Sequence, residues 1–307
     1  MKRYLAPVGW ALGMLVLILD GQTAMVGAAE GLMLCMQTLI PSLFPFFLLS
    51  AMLTSSLSGG GLLLTGILGG YPVGAGNAAR AYRAGQLEKS EAQRLAVLCN
   101  CAGPSFLFGV VSPVLGDLRK GGLLWGIYLV SILLLRLILP ENGKIRGFGQ
   151  PVRLQQALHD SIRAMAGVCG WVILFRVLLC ILDRWILWLL PPWGRVCIYG
   201  ILELSNGCLA LGNLDPGSAF VLAAGFIGFG GLCVLLQTAS VTEGLSLKLY
   251  FPGKCFQAAV CMGLASLVTP GAVSPGVQAV FVLAALCFGL LLRKSEKRCG
   301  NRQPVIV

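Results

Sequence analysis

The chain has 307 residues, of which 57% are hydrophobic and only 11% charged, where a soluble domain usually carries about a quarter charged residues. That leaves too little polar surface to coat a water-soluble globule. The net charge of +11 reads as the Lys and Arg excess of cytoplasmic loops. No basic stripe with interleaved aromatics stands outside the apolar runs, so nucleic acid is not expected as a partner.

In chain order the apolar runs predict eight spans, at 4–19, 32–53, 95–115, 121–139, 164–182, 196–211, 256–270 and 277–292. Several approach the roughly 20 residues that cross a bilayer core. Backbone in lipid must be satisfied within its own segment, which makes the runs helices. They lack the alternation of a transmembrane barrel. The first run, after Met1-Lys2-Arg3, has the form of a signal peptide but reads better as an uncleaved helix. In the second, Pro41-Ser-Leu-Phe-Pro-Phe-Phe47 puts two prolines one turn apart and predicts a kink. Two further stretches, 61–79 and 219–237, are interrupted by glycine or proline and read as broken helices or re-entrant hairpins.

The expected fold is therefore an all-α polytopic membrane protein. It has about eight transmembrane helices plus two broken or re-entrant hairpins in two related halves. The first membrane half is 1–140, the second 164–292. A cytoplasmic linker, 141–163, joins them, and a basic cytoplasmic tail, 293–307, follows. With the N-terminus inside, the cytoplasmic segments hold Lys2, Arg3, Arg80, Arg83, Lys89, Arg94, Lys144, Arg146, Arg153, Arg163, Lys248 and Lys254 besides the basic tail. The outside loops keep only Arg119, Lys120, Arg184 and Arg195.

The two interrupted stretches hold corresponding places. Ile67-Leu-Gly-Gly-Tyr-Pro-Val-Gly74 answers to Phe226-Ile-Gly-Phe-Gly-Gly231, and such matched breaks point to a transporter's substrate site. Gly70, Tyr71, Pro72, Gly74 and Asn77 are candidates because proline withholds an N–H and glycine permits close backbone approach. Gly70-x-x-x-Gly74 also fits a small-residue packing contact.

Ser90-Glu-Ala-Gln93 has the form of a capping box. Beyond it come Asn100, Gly103, Pro104 and Ser105. There Pro104 frees a carbonyl near Asn100, for solute or merely at a kink. Glu203 and Asn206 are three apart on one expected helix face, and a carboxylate in a span marks a functional site by default. Gly230, Gly231 and Gln237 furnish the second break. Arg176 is the expected charge partner, and a Glu203–Arg176 pair is the structural alternative for both.

The twelve cysteines lie almost all in apolar runs and behave as small hydrophobes. Cys99-Asn-Cys101 is too tight for a zinc knuckle and His159 is the lone histidine. No metal, cofactor or enzymatic activity is expected.

Pro41-Ser-Leu-Phe-Pro-Phe-Phe47, Gly70-Tyr-Pro-Val-Gly74, Asn100-Cys-Ala-Gly-Pro104, Leu202-Glu-Leu-Ser-Asn-Gly207 and Gly228-Phe-Gly-Gly-Leu232 occur in an order that resembles the YlbJ-type sporulation integral membrane proteins of the nucleoside-recognition, or Gate-domain, superfamily. The resemblance covers roughly residues 30–260. Family members often carry a second Asn or Ser where this chain has Cys101-Ala102. It implies a multi-pass protein of a bacterial cell membrane, or of the membrane surrounding the forespore. The implied role is a transporter or permease component for a small anionic solute, dipicolinate-like or nucleoside-like. Membrane lipid, the solute, and a second copy or sporulation membrane proteins are the expected partners. The alternative is a non-transporting scaffold that recruits sporulation proteins.

Overall fold

The computed structural model describes residues 2–56, 61–139 and 153–300, and among them there is helix but no β-strand. Lys144 and Arg146 of the expected linker, and the end of the expected tail, lie outside the described residues. Helix α1 is Lys2–Leu19. Then α2 (Gly21–Leu34), a π-helical turn (Cys35–Leu39) and α3 (Ile40–Ser56) run on as one rod. The turn sits immediately before Pro41, and the Ile40 N–H reaches back to Cys35 O. A proline lacks its N–H and clashes with the carbonyl four residues back, and a widened turn relieves both. The expected kink takes this form.

Next come α4 (Gly61–Gly69) and α5 (Val73–Arg83), separated by Gly70, Tyr71 and Pro72. A Cβ on either Gly66 or Gly74 would strike Cys99. Two residues eight apart thus touch one neighbour, so the chain doubles back at the break. Gly70 has φ of +76°, and the Tyr71–Pro72 bond is cis. Helix α6 (Lys89–Leu98) then leads into non-helical Cys99–Gly103 before α7 (Pro104–Phe106), a second π turn (Leu107–Val111) and α8 (Ser112–Val114), with α9 at Leu118–Ile138. The run 95–115, expected as one helix, is therefore interrupted. No capping box forms either. Glu88 is the N-cap of α6 without a side-chain bond, and Glu91 is bonded to Arg94 instead.

Helix α10, Leu154–Trp185, has 32 residues and starts inside the segment 141–163. It packs antiparallel on α2, where Gly27 and Gly31 abut the backbones of Val177 and Ile173. Small residues allow that approach. A 3-10 turn at Leu187–Leu189 leads to α11 (Pro192–Leu202) and α12 (Leu204–Ala210). A Cβ on Gly207 would strike Gly200 Cα, so here too the chain doubles back, at Glu203. The run 196–211, expected to cross as one helix, is a second fold-back.

After a 3-10 turn at Leu211–Asn213, α13 (Pro216–Phe229) and α14 (Gly231–Val241) meet at Gly230, whose φ is +84°. The Asp215 carboxylate caps α13 through the Ser218 N–H at 2.9 Å, and Pro216 occupies its first turn. These two helices do not fold back. Gly217, Gly225 and Gly228 abut Ala272, Met262 and Ala258 in turn, so α13 runs antiparallel to α15 (Tyr250–Val268), before α16 (Pro275–Gly300) closes the chain. Of the two stretches expected to be broken or re-entrant, 61–79 folds back and 219–237 is a broken helix.

Among the described residues six segments are long and apolar enough to cross a membrane: Gly21–Leu53, Leu118–Ile138, Leu154–Trp185, Pro216–Val241, Tyr250–Val268 and Pro275–Glu296. Pro216–Val241 is the most enclosed of them and Pro275–Glu296 the least. Hence α13 and α14 form the centre, with α9, α10, α11 and α15 packed against them and the α2–α3 rod against α10, and α16 is the most exposed of the six.

Helix α10 also fixes the molecule's two ends. Near its start Asp160 pairs with Arg80 of α5 at 3.1 Å. Near its finish Asp183 pairs with Arg195 of α11 at 3.4 Å, and Trp185 Nε1 donates to Asp20 at 3.0 Å. At 1.5 Å per residue the two anchors lie about 35 Å apart, so the fold-backs are rooted at opposite ends.

Candidate functional site

Four interruptions meet in the interior: Gly70-Tyr71-Pro72, Cys99–Gly103, Glu203 and Gly230-Gly231. A Cβ on Gly70 would lie 3.1 Å from Gly103 N, one on Gly230 3.3 Å from the Tyr71 ring, and one on Gly231 3.3 Å from Leu204 N. Main chain lies against main chain at Gly70 and Gly231, and all three glycines have positive φ, which is why glycine occupies these places. Non-helical backbone at such depth is tolerated where protein or a polar cavity receives it.

Between the breaks lies a cavity of about 40 Å³, lined by Gly70, Tyr71, Gly103, Glu203, Ser205 and Gln237 with an apolar wall that includes Leu39, Phe106 and Val172. A void of this size holds a few water molecules. An aromatic solute does not fit a void of this size.

Glu203 is buried, with extended backbone at φ −143° and ψ 122°, and it N-caps α12. Its Oε1 accepts from Ser205 N at 3.0 Å, and its Oε2 accepts from Asn206 N and Asn206 Nδ2, both at 2.7 Å. Three N–H donors and the start of a helix surround this carboxylate. Arg176 does not pair with it. The guanidinium binds Glu30 Oε2 at 2.7 and 3.0 Å and touches the network only through Asn206 Oδ1, at 3.1 Å. The expected Glu203–Arg176 pair is thus replaced by a relay through the amide, because the Asn206 side chain stands between them.

A second polar cluster lies on the far side of Tyr71. Lys254 is fully buried. Its Nζ donates to Asn100 O at 2.5 Å and Gln257 Oε1 at 2.7 Å, and lies 3.5 Å from Tyr128 OH. It also faces the rings of Tyr71 and Tyr250, 5.3 and 5.7 Å from their centroids, within cation–π range. The Asn100 amide donates to Thr238 Oγ1 at 2.7 Å and Tyr250 OH at 2.6 Å. Tyr71 OH donates to Ile227 O at 3.0 Å and lies 3.2 Å from Tyr128 OH. Tyr71 therefore borders the Glu203 cavity with one part of its surface and the Lys254 cluster with another.

The remaining candidates fall into place around these clusters. Pro104 opens α7 and Ser105 follows it, buried, its hydroxyl without a partner. Pro72 N-caps α5, and Gly74 is pressed against Cys99, so Gly74 serves packing. Asn77 accepts from Arg80 at 2.5 Å, toward the Asp160 end and away from the cavity lining. Gln237 donates to Cys233 Sγ at 3.2 Å.

Residue-by-residue reading of the sequence missed Lys254, Gln257, Tyr128, Tyr250 and Thr238. The sequence places Lys254 in a cytoplasmic segment, whereas in the structure α15 begins at Tyr250 and Lys254 lies inside the rod. The signal was present, since Lys254 and Gln257 sit three apart at the head of an apolar run and share a helix face. Arg94 is corrected likewise. It is buried, bonded twice to Glu91 and donating to Leu139 O at 3.2 Å. The chain matches no protein-family model, no curated protein and no solved structure.

Proposed function

We propose that this chain is a membrane transporter or permease component for a small anionic solute, dipicolinate-like or nucleoside-like, acting in sporulation at a bacterial cell membrane. The carrying observation is the pair of fold-backs rooted at opposite ends of α10, whose tips, Tyr71 and Glu203, close on one cavity. Transporters built from inverted repeats place their sites where broken helices meet near the midplane. Sporulation and the solute class rest on the resemblance of the five motifs.

In this reading the chain crosses the membrane eight times, through α1, α2–α3, α6–α8, α9, α10, α13–α14, α15 and α16, with α4–α5 and α11–α12 entering and returning. Each half then repeats one order: long rod, fold-back, broken rod, straight helix. The fold-back pairs with the fold-back, so residues 61–83 correspond to 192–210 and not to 219–237. The closed cavity is one state of an alternating cycle, and movement of either tip would open it to the side from which that fold-back enters.

The test is uptake by the purified full chain in liposomes, with labelled dipicolinate and uridine, under imposed proton or sodium gradients. Saturable uptake of either above protein-free liposomes is expected. No uptake of either solute under any gradient would overturn the reading.

A further inference from the structure

Lys254 stands in the interior with no carboxylate against it among the described residues. Its hydrogen-bond partners are a main-chain carbonyl, a side-chain amide oxygen and a phenol, and a buried cation is costly unless paired with a charge. Beside it two buried polar atoms have no partner, Gln257 Nε2 and Asn100 Oδ1, on residues that are fully buried. Gln257 is oriented so that its oxygen receives Lys254, which leaves its two N–H bonds unused. The ammonium has acceptors for its N–H bonds but no counter-charge, and the amide N–H2 beside it has no acceptor. A carboxylate, with two oxygens and about four lone pairs, satisfies both.

Glu203, by contrast, already has three N–H donors. The interior thus holds a satisfied carboxylate on one side of Tyr71 and, on the other, a cation with no carboxylate against it. Tyr71 is placed on the tip of a fold-back, its ring contacting Lys254 and its surface lining the cavity.

We propose that Lys254 and Gln257 form the anion-binding subsite of the solute pathway, taking a carboxylate group, and that the Tyr71 ring covers this subsite in the closed state. The solute class rests on the transporter reading above, whereas the subsite rests on the geometry around Lys254. On opening, the Tyr71 ring leaves Lys254, and the carboxylate takes up the ammonium and the free amide N–H.

The test is calorimetric titration of the full chain in lipid nanodiscs with pyridine-2,6-dicarboxylate and with its neutral diamide. Wild type is expected to prefer the dianion by tenfold or more, and Lys254→Met to lose that preference. Gln257→Glu sets a carboxylate 2.7 Å from the ammonium and preserves its shape. This variant is expected to fold and to lose the preference too, and it decides the matter if Lys254→Met fails to fold. Equal binding of the two compounds by wild type, or a preference that survives Gln257→Glu, overturns the subsite. Dianion binding without uptake would sink the transporter reading and leave the subsite. Uptake that both variants retain would do the reverse.

Discussion

Lys254 Nζ bonds to the carbonyl of Asn100, four residues before Pro104. In an uninterrupted helix that carbonyl would accept the N–H of residue 104, and proline has none. A lysine from another helix supplies the missing donor. The break at Cys99–Gly103 is thereby tied to α15, and the Asn100 side chain ties it to α14 through Thr238 and to Tyr250.

This bonding sets a first expectation. Asn100→Ala removes two donors and Tyr250→Phe removes one of their acceptors, so the two effects share a bond and are not additive. Thermal melting in detergent of both single variants and the double should give a coupling of about 0.6 kcal/mol, with about 1.7 as a ceiling, the range of hydrogen bonds between membrane helices. Strict additivity would mean that the Asn100–Tyr250 bond is absent in the membrane.

A second expectation concerns the fold-backs. Gly74→Ala and Gly207→Ala each force a methyl group into opposing main chain, at Cys99 and Gly200. Overpacking of a well-packed interior costs about 1–3 kcal/mol, and main chain gives way less readily than side chain. Both variants should lose monodisperse protein in size-exclusion chromatography. Gly122→Ala and Gly126→Ala meet open space and should behave as wild type. Normal behaviour of Gly207→Ala would contradict the turn at Glu203.

The membrane class and most of the rods were legible in the sequence because length and hydropathy determine them locally. The run 164–182 became α10 and 121–139 became α9, with shifted ends. Glu203 and Tyr71 were legible as well, as a carboxylate in an apolar run and a residue between glycine and proline. The fold-back at Glu203 was not, since 196–211 has the hydropathy of a crossing helix. Its turn depends on Gly200 meeting Gly207, a contact between chain segments. Lys254 was hidden for a related reason. A lysine at the edge of an apolar run counts as a loop charge until packing draws it inside.

A third expectation concerns sidedness. Asp160 and Arg80 share one end of the bundle, Asp20 and Arg184 the other, the latter two paired at 3.2 Å. If the Lys and Arg excess lies inside, the Asp160 end faces the cytoplasm. A cysteine introduced at Asp160 should be shielded from an impermeant maleimide in intact cells, and one at Arg184 should be labelled. The opposite pattern would invert the topology, and labelling of both from outside would show that α10 does not cross.

The last expectation separates Glu203 from Arg176. Glu203→Gln keeps one acceptor oxygen but turns an N–H2 toward donors that the carboxylate had satisfied, leaving at least one buried N–H without a partner. The cost of such a group is about 1–3 kcal/mol, and it falls on the cap of α12. Arg176→Met acts elsewhere. It strips the guanidinium from Glu30, whose side chain is 47% exposed, and from Asn206 Oδ1. Arg176 and Glu203 are not bonded to each other and meet only through Asn206, so joining the two substitutions should give losses coupled through that amide and should rescue neither stability nor uptake. Glu30→Gln with Arg176→Met removes both members of a real pair and should cost less than the sum of its singles. Melting of the five variants in nanodiscs checks both statements. Recovery in the Glu203–Arg176 double would show that the two charges meet directly, and would return Glu203 to a structural role.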